Sequence, residues 1–210
     1  MKTLPGVMMV IAKTPEPGQV KTRLCPPLTA AQACEVAWAC LLDTLDVAAA
    51  VPASRHVLVL AGEPGDWIPS CFEVIAQRGD GLAERLAAAF TDVRDTGVVI
   101  AMDTPQVTVA QLGAGLQALE TNAEAVLGMA ADGGYWLIGL RQDFDFDSVF
   151  HHVPMSTSHT GQDQQRRLDS LGLRTTLLPT LRDIDTIDDL HVVASGMPSG
   201  RLPRVVSLLT

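Results

Sequence analysis

The sequence opens with an apolar run that stops abruptly in a loop rich in proline and cations. Val7 to Ile11 are five apolar residues in succession, three of them β-branched, with no polar alternation. Such a run predicts a strand covered on both faces, in the middle of a parallel sheet. Pro15, Pro17 and Gly18 end it, because proline supports neither a helix interior nor a strand ladder. The chain is therefore predicted to place an irregular loop directly after a buried strand.

That loop concentrates positive charge. Lys13, Lys21 and Arg23 fall within it, against a single acid, Glu16. A loop after a buried strand that carries free N–H groups and clustered cations is typical of phosphate sites in α/β proteins. A solvated surface loop with ordinary charges is an equally open interpretation. The spacing of Gly18 from Lys21 and Thr22 excludes a Walker P-loop, and no Gly-x-Gly-x-x-Gly fingerprint follows the strand.

Composition narrows the class of protein and of partner. With 210 residues, 47% of them hydrophobic, the chain is predicted to form one domain over 1–210, with 196–210 as a peripheral tail. The net charge of −9 argues against nucleic acid and anionic membranes as partners. The four cysteines lack Cys-x-x-Cys spacing and no signal peptide precedes Val7, which predicts a reduced, cytoplasmic protein. The oligomeric state stays open.

The order of apolar runs predicts a three-layer α/β/α sandwich with a mixed, mostly parallel sheet. Thr29 and Gln32 form the pattern of a capping box before a long helix that runs to about Ala50. Two runs near position 130, joined by Asp132-Gly133-Gly134, are predicted to pair antiparallel. The predicted strands are Val7–Ile11, His56–Ala61, Phe72–Gln77, Val98–Ala101, Ala125–Met129, Tyr135–Leu140 and Arg174–Leu178. Further helices are predicted at 82–93, from about 107, at 161–171 and up to about Ser195.

Acidic residues follow several of these strands. Asp103 comes directly after a buried strand, where open α/β sheets bind their ligands, and is a candidate metal ligand or, alternatively, a helix cap. Asp183 to Asp189 holds four acids within seven residues, which suits a divalent cation or the dipole of a helix N-terminus. Asp132, before two glycines, is a candidate general base, acceptor-binding group or turn residue.

Other polar and aromatic residues carry weaker signals. Gly79, Asp80 and Gly81 precede a helix and could approach a base or ribose, or form an ordinary turn that Asp80 caps. Tyr135 and Trp136 are candidates for a pocket wall, with core packing as the alternative. His151, His152 and His159 lie in a loop and could bind a metal or be surface residues. The hydroxyls of 156–158 could serve an acceptor or cap a helix.

Taken together, these motifs resemble those of a known group. The stretches at 13–24, 79–86, 102–105, 131–140 and 183–186 are similar to those of bacterial candidate glycosyltransferases labelled radical-SAM-associated transferases, in the nucleotide-diphospho-sugar transferase, or GT-A, superfamily. The resemblance covers about Val7 to Leu190. It implies that the loop residues Lys13, Gly18, Lys21, Thr22 and Arg23 hold nucleotide phosphates, and that Asp103 and Asp185 bind Mg²⁺ or Mn²⁺. It further implies that Asp132, Gly133 and Gly134 border the acceptor.

The chain also departs from that superfamily's usual pattern. A typical GT-A glycosyltransferase has Asp-x-Asp where this chain has Ala101-Met102-Asp103, so only one of the two carboxylates is present. A single Asp after the strand resembles the nucleotidylyltransferase branch related to molybdenum-cofactor guanylyltransferase. Those relatives have a loop richer in glycine than 13–24. Three hypotheses follow. The first is a metal-dependent transferase that moves a glycosyl group from a nucleotide-sugar donor to a small acceptor. The second is a nucleotidylyltransferase that joins a nucleoside triphosphate to a phosphorylated acceptor, and the third is a nucleotide-binding protein without catalysis. In the two catalytic hypotheses Asp132, Lys21 and Arg23 are the catalytic candidates.

Overall fold

The fold is a seven-stranded sheet covered by helices on both faces. It is described for residues 3–209 from a computed structural model. The strands are β1 (Leu4–Lys13), β2 (Ala53–Ala61), β3 (Phe72–Ala76), β4 (Gly97–Ala101), β5 (Ala125–Ala130), β6 (Tyr135–Leu140) and β7 (Thr175–Leu181). The helices are α1 (Ala30–Ala49), α2 (Leu82–Val93), α3 (Val109–Thr121), α4 (Phe146–Phe150), α5 (Thr160–Ser170), α6 (Ile187–Gly196) and α7 (Arg201–Leu209). A single 3₁₀ turn spans Thr22–Leu24.

The sheet is mixed and mostly parallel, as predicted. Its strand order is β3-β2-β1-β4-β6-β5-β7. The only antiparallel pairs within 3–209 are those of β6 with β4 and with β5. The predicted pairing of the two runs around Asp132 is therefore confirmed. Because β6 alone is reversed, the carboxyl ends of the other six strands lie at one edge of the sheet.

The first apolar run is buried because its strand is central. In β1, Met8 and Val10 pack into a core with α1 and α3, while Val7, Met9 and Ile11 pack into a second core with α2, α4 and α5. Side chains alternate between the two faces of a strand, so a strand with a core on each side must be apolar at every position. The unbroken pattern of the sequence follows directly from this position.

Capping residues fix the helix starts. Thr29 caps α1 with Gln32 as predicted, and Thr108 and Thr186 make the same reciprocal box for α3 and α6. Asp80 does not cap α2: Gly81 holds that position, and the Glu84 carboxylate accepts a hydrogen bond from the Asp80 N–H at 2.7 Å. The Asp80 prediction was wrong because the next acid along the helix reaches back over the turn.

The C-terminal residues are not a peripheral tail. Residues 201–209 form α7, and its Leu202 and Val206 are buried against α1 and α6. Pro198, Gly200 and Pro203 suggested irregular chain, but Pro203 lies in the first turn of α7, where its missing N–H costs no helical hydrogen bond. The prediction of a tail over 196–210 was therefore wrong for 201–209; Thr210 lies outside the described residues.

The four cysteines are free thiols, and Cys34 and Cys40 are buried on α1. Within residues 3–209, no helix has both the length and the apolar character that crossing a membrane requires.

We expect Asp43→Ala to release α7. The Asp43 carboxylate is 6% exposed and accepts hydrogen bonds from the backbone N–H groups of Arg201 and Leu202 at 2.9 Å, so it serves as the N-terminal cap of α7. Removing it leaves those donors unpaired and should lower the free energy of unfolding by about 2 kcal/mol. Urea denaturation measures this change.

Asp46→Ala is the matched control. Asp46 also lies on α1 and pairs with the Arg201 guanidinium at 2.5 Å, but its side chain is 57% exposed and contacts no backbone N–H of α7. An exposed ion pair contributes less than about 1 kcal/mol. Equal losses for the two variants would contradict the capping role of Asp43.

Candidate active site at the carboxyl edge of the sheet

The topology brings the charged loops together. The chain connects β1 to β2 and β3 on one side, then returns across β1 to β4, so the strand order reverses between β1 and β4. A crevice opens at such a point, beyond the carboxyl ends of the two strands. Lys21 follows β1, Asp103 follows β4, Asp132 follows β5, and Asp183 and Asp185 follow β7. All these side chains therefore reach the same edge.

Lys21 is the central contact of this edge. Its side chain is 8% exposed, and its ammonium lies 2.5 Å from Asp103 Oδ1 and 2.5 Å from the Ile184 carbonyl. Burial lowers the pKa of Lys21, but the charge of Asp103 and the hydrogen bond to it outweigh burial, so the net pKa is raised and Lys21 stays protonated. The Lys21 backbone is left-handed, with φ 48°, which costs a residue with a β-carbon about 1 kcal/mol.

The loop after β7 is joined to the same contact. The Ile184 N–H donates to the Asp103 carbonyl at 3.1 Å, and Ile184 is fully buried. Asp185 Oδ2 accepts from Arg23 Nη1 at 2.5 Å. Three loops, after β1, β4 and β7, are thus connected by hydrogen bonds that place Asp103 and Asp185 beside two cations.

A cavity lined by cations lies on the β1 side of this junction. We name it the basic cavity; its volume is about 470 Å³. Its basic side chains are Lys13, Lys21, Arg23 and Arg85, and it also contains Gln77, whose amide donates to the Ala12 and Val59 carbonyls. Asp103 and Asp185 also line this cavity and pair with Lys21 and Arg23, so the lining carries two cations in excess and a field that attracts a polyanion such as a nucleotide phosphate chain.

A second cavity, of about 460 Å³, lies on the β5–β7 side. We name it the acidic cavity, because Asp103, Asp132, Asp183 and Asp185 line it. Hydroxyl residues line it too: Thr104, Ser156, Thr157, Ser158 and Thr160. The Thr104 hydroxyl is buried with no hydrogen-bond partner among the described residues, an arrangement that costs about 1–3 kcal/mol unless a ligand relieves it. The basic and acidic cavities adjoin: Asp103, Asp185, Arg23, Leu82 and Ala101 line both.

Three of the carboxylates face one another closely enough to share a cation. One oxygen from each of Asp132, Asp183 and Asp185 lies within 4.8 Å of the other two. Burial, followed by the charge of Asp132, raises the pKa of Asp183 to about 6. Carboxylates that repel each other in this way, with oxygens at such distances, fit a divalent cation such as Mg²⁺ or Mn²⁺, which prefers oxygen ligands.

Two glycines allow the walls of the acidic cavity to approach each other. A β-carbon on Gly133 would lie 1.8 Å from the Ser158 carbonyl oxygen, and Gly133 has φ +96°. The Gly161 N–H donates to the Gly133 carbonyl at 2.8 Å. The turn that carries Asp132 and the loop that carries Ser158 are therefore held in direct backbone contact.

The structure brings most, but not all, of the predicted site residues to the two cavities. Those that line a cavity are Lys13, Lys21, Thr22, Arg23, Asp103, Asp132, Gly134, Trp136 and Asp185. Neither cavity is lined by Gly18, Gly79, Asp80, Gly81 or Gly133. Trp136 is 2% exposed and its indole N–H donates to the Pro179 carbonyl, so it combines core packing with a place in the wall. The roles assigned to these residues remain predictions.

Asp103 was expected to lie beside other metal-binding carboxylates, but it is paired with a lysine instead. Its nearest charge is the Lys21 ammonium, and the close carboxylate group contains Asp183 and Asp132 beside Asp185. Sequence reasoning noted Asp183 without assigning it to the site. The signal for it was the spacing Asp183-Ile184-Asp185, since alternate residues of an extended segment project to the same side. Gln77 and Arg85, which flank the Gly79 turn, were missed.

We expect Gly133→Ala to disrupt the acidic cavity. The new β-carbon would overlap the Ser158 carbonyl, so one wall must move and the free energy of unfolding should fall by several kcal/mol. Gly172→Ala is the control, because Gly172 also has positive φ, +71°, but nothing lies within 4 Å of its β-carbon position. Gly172→Ala should cost about 1 kcal/mol. Equal losses in urea denaturation would exclude the backbone contact as the cause.

We expect metal-free protein to carry a pH-dependent penalty at Asp183. Its pKa is about 6 in the folded chain against 3.8 as an ordinary carboxyl, so folding takes up a proton between these pH values. Its contribution to stability is complete below about pH 4 and is lost as pH rises through 6. Two pKa units correspond to about 3 kcal/mol, which solvent screening of this half-buried group reduces to about 1 kcal/mol.

Asp183→Asn isolates this contribution. In chelator, the variant should match the wild type near pH 3.5 and be more stable by about 1 kcal/mol near pH 7.5, as measured by urea denaturation at both pH values. A difference that does not change with pH would contradict the raised pKa.

Solved structures with the same fold are known. The chain is similar to a candidate nucleotide-diphospho-sugar transferase from Desulfovibrio desulfuricans G20, with 26% identity and a TM-score of 0.87, over 98% of this chain and 95% of that one. It shares the fold of a CMP-2-keto-3-deoxy-manno-octonic acid synthetase complexed with CTP, at 12% identity, TM-score 0.55, and 90% and 96% coverage. It also shares the fold of Rv0371c from Mycobacterium tuberculosis H37Rv in complex with manganese, at 18% identity, TM-score 0.52, and 91% and 100% coverage.

These structural neighbours confirm the predicted fold and the resemblance to the nucleotide-diphospho-sugar transferase superfamily; of those named for an activity, one is called a transferase and one a synthetase. The comparison with curated proteins found no match. A family model matches residues 41–157, more than half of the chain. The chain belongs to the bacterial family that this model describes, "Uncharacterized protein conserved in bacteria (DUF2064)".

Proposed function

We propose that the chain is a metal-dependent transferase that uses a nucleotide-activated donor and moves a glycosyl group from a nucleotide sugar to a small acceptor. The observation that carries this proposal is the pair of adjoining cavities with opposite charge. A polyanionic donor fits the basic cavity, an acceptor fits the acidic cavity, and the residues common to both lie where the two molecules would meet.

The donor side acts through fixed positive charge. Lys21 is already positioned and protonated by its contacts with Asp103 and the Ile184 carbonyl, so no reorganisation is needed when phosphate arrives. Lys13, Arg23 and Arg85 add cations around the same cavity. These groups would stabilise the negative charge that develops on the leaving nucleoside diphosphate.

The carboxylates would serve two purposes. Asp183 and Asp185, two of the three carboxylates whose oxygens lie within 4.8 Å of one another, would hold Mg²⁺ or Mn²⁺, and Asp103 would join them through the oxygen that is not paired with Lys21. The ion when bound neutralises phosphate charge. Asp132 would accept the proton of the acceptor hydroxyl. One of its oxygens accepts a hydrogen bond from the Gly134 N–H at 2.7 Å, which orients the carboxylate in the wall of the acidic cavity.

In the transfer, the acceptor oxygen would form a bond to the anomeric carbon of the donor sugar. The bond from that carbon to the phosphate oxygen breaks, and its electron pair leaves with the nucleoside diphosphate. The acceptor proton goes to Asp132. Among the structural neighbours, the one described as a nucleotide-diphospho-sugar transferase supports this reaction, and the one in complex with manganese supports a divalent metal ion.

A second candidate function is nucleotidylyl transfer from a nucleoside triphosphate. The specific observation in its favour is that a structural neighbour, the CMP-2-keto-3-deoxy-manno-octonic acid synthetase, is complexed with CTP, a nucleoside triphosphate. This reaction releases pyrophosphate, whereas glycosyl transfer releases a nucleoside diphosphate. Product analysis therefore separates the two candidates.

We expect a thermal-shift screen to identify the donor. Nucleoside triphosphates and nucleotide sugars are tested with Mn²⁺, with Mg²⁺ and with chelator. Ligand at a hundredfold its dissociation constant should add about 2.7 kcal/mol, or several degrees for a chain of this size. Asp103→Asn should abolish the metal-dependent shift and lower turnover by orders of magnitude.

Asp92→Asn is the control for that variant. It also breaks an ion pair of 2.5 Å, with Arg78, but lines neither cavity, so the nucleotide shift should be unchanged. If no nucleotide shifts the wild type, the transferase proposal is wrong. If nucleotide binds and Asp103→Asn changes neither binding nor turnover, the chain binds nucleotide without the proposed catalysis.

A further inference from the structure

The charge of the acidic cavity restricts its occupant. Four carboxylates line it, and among residues 3–209 the single basic side chain in its lining is Arg23, which is paired with Asp185. Asp103 is paired with Lys21 in the same way, so a divalent cation would offset the two remaining carboxylates, Asp132 and Asp183, and leave no free cationic side chain among the described residues of the lining. Phosphate groups are bound by free Arg or Lys side chains or by clustered N–H groups. A phosphate on the acceptor would meet carboxylates instead.

Hydroxyl groups and aromatic surface complete the lining. Ser156, Thr157 and Ser158 offer hydroxyls on one wall, and the half-buried Tyr135 offers ring surface on another. Carboxylates accept hydrogen bonds from ligand hydroxyl and ammonium groups, while side-chain hydroxyls both donate and accept. This combination suits a polyhydroxylated molecule with apolar C–H faces.

One buried group in the wall lacks a partner. Thr104 is 2% exposed and lines the cavity, and its hydroxyl has no hydrogen-bond partner among the described residues. Buried hydroxyls are normally satisfied, so an unsatisfied one in a cavity wall points to a polar ligand group. The Thr160 hydroxyl differs, because it donates to the Pro154 carbonyl at 2.8 Å.

From these three observations we infer that the acceptor is a sugar or amino sugar without a phosphate group. The inference rests on the proposed function, because it treats the acidic cavity as the acceptor side of a transferase. Its volume of about 460 Å³ lies within the range of small-molecule sites. The acceptor then supplies a hydroxyl oxygen as nucleophile, and its C–H face packs against the aromatic wall. A phosphorylated acceptor is disfavoured.

Ligand-detected saturation-transfer NMR on the full chain tests this inference. The sample contains Mg²⁺ and the nucleoside diphosphate with the same base as the donor that the thermal-shift screen identifies. The probes are glucose, galactose, mannose, glucosamine and glucose 6-phosphate, each titrated separately. At least one unphosphorylated sugar should bind, and glucose 6-phosphate should bind at least tenfold more weakly than the best of them.

Thr104→Val and Thr44→Val form a matched pair. Both replace a buried hydroxyl that has no partner among residues 3–209, and both keep the shape of the side chain, but Thr44 lies on α1 and lines neither cavity. Thr104→Val should weaken binding of the best sugar at least tenfold and leave nucleotide binding unchanged. Thr44→Val should change neither.

The possible results distinguish failure of this inference from failure of the proposed function on which it rests. Absence of nucleotide binding overturns the proposed function and the inference with it. Nucleotide binding together with tighter binding of glucose 6-phosphate, or with no binding of any unphosphorylated sugar, overturns the inference alone. If the two threonine variants weaken sugar binding equally, Thr104 does not belong to the acceptor site. The comparison among probes uses the wild-type chain, so it stands even if a variant fails to fold.

Discussion

The buried Lys21 ammonium is the contact on which the geometry of this edge depends. A cation with an 8% exposed side chain must be paired, and Lys21 meets this requirement through Asp103 and the Ile184 carbonyl. Both partners come from loops distant in sequence, so the ion pair fixes the ends of β1 and β4 and the loop after β7 together. Removing one partner would leave a buried charge uncompensated, and the crevice would lose its shape as well as its charge.

This arrangement also places a positively charged cavity directly beside a negatively charged one. Cations occupy the basic cavity and carboxylates the acidic one, with Asp103 and Asp185 between them. The chain as a whole carries a net charge of −9, so the cluster of Lys and Arg in the loop after β1 is a positively charged region of an acidic protein. Their field is therefore local: it attracts a small anion at one point without making the molecule a general polyanion binder. The left-handed backbone at Lys21 is consistent with strain retained at a functional site.

Local patterns predicted much of the fold, whereas contacts between distant loops could not be predicted. The run from Val7 to Ile11 and the Thr29 capping box depend on neighbouring residues, and the structure confirms both. Helix α7 was missed because its stability comes from Asp43, 158 residues away, and from burial on α1. Asp103 was a candidate site residue because it directly follows a buried strand. Its pairing with Lys21 was not predicted, because the two residues are far apart in the sequence. Sequence spacing carries no information on which loops meet.

The reversed strand β6 explains why an acidic side exists at all. Because β6 runs antiparallel between β4 and β5, β5 ends at the same edge as β4, and the turn that follows it delivers Asp132 there. Strand β7, parallel to β5, brings Asp183 and Asp185 to the same place. A purely parallel continuation would have required a helical crossover in place of this tight turn. The hairpin instead lets Gly133 contact the Ser158 backbone, so one local departure from the βαβ pattern creates both the carboxylate group and the wall that faces it.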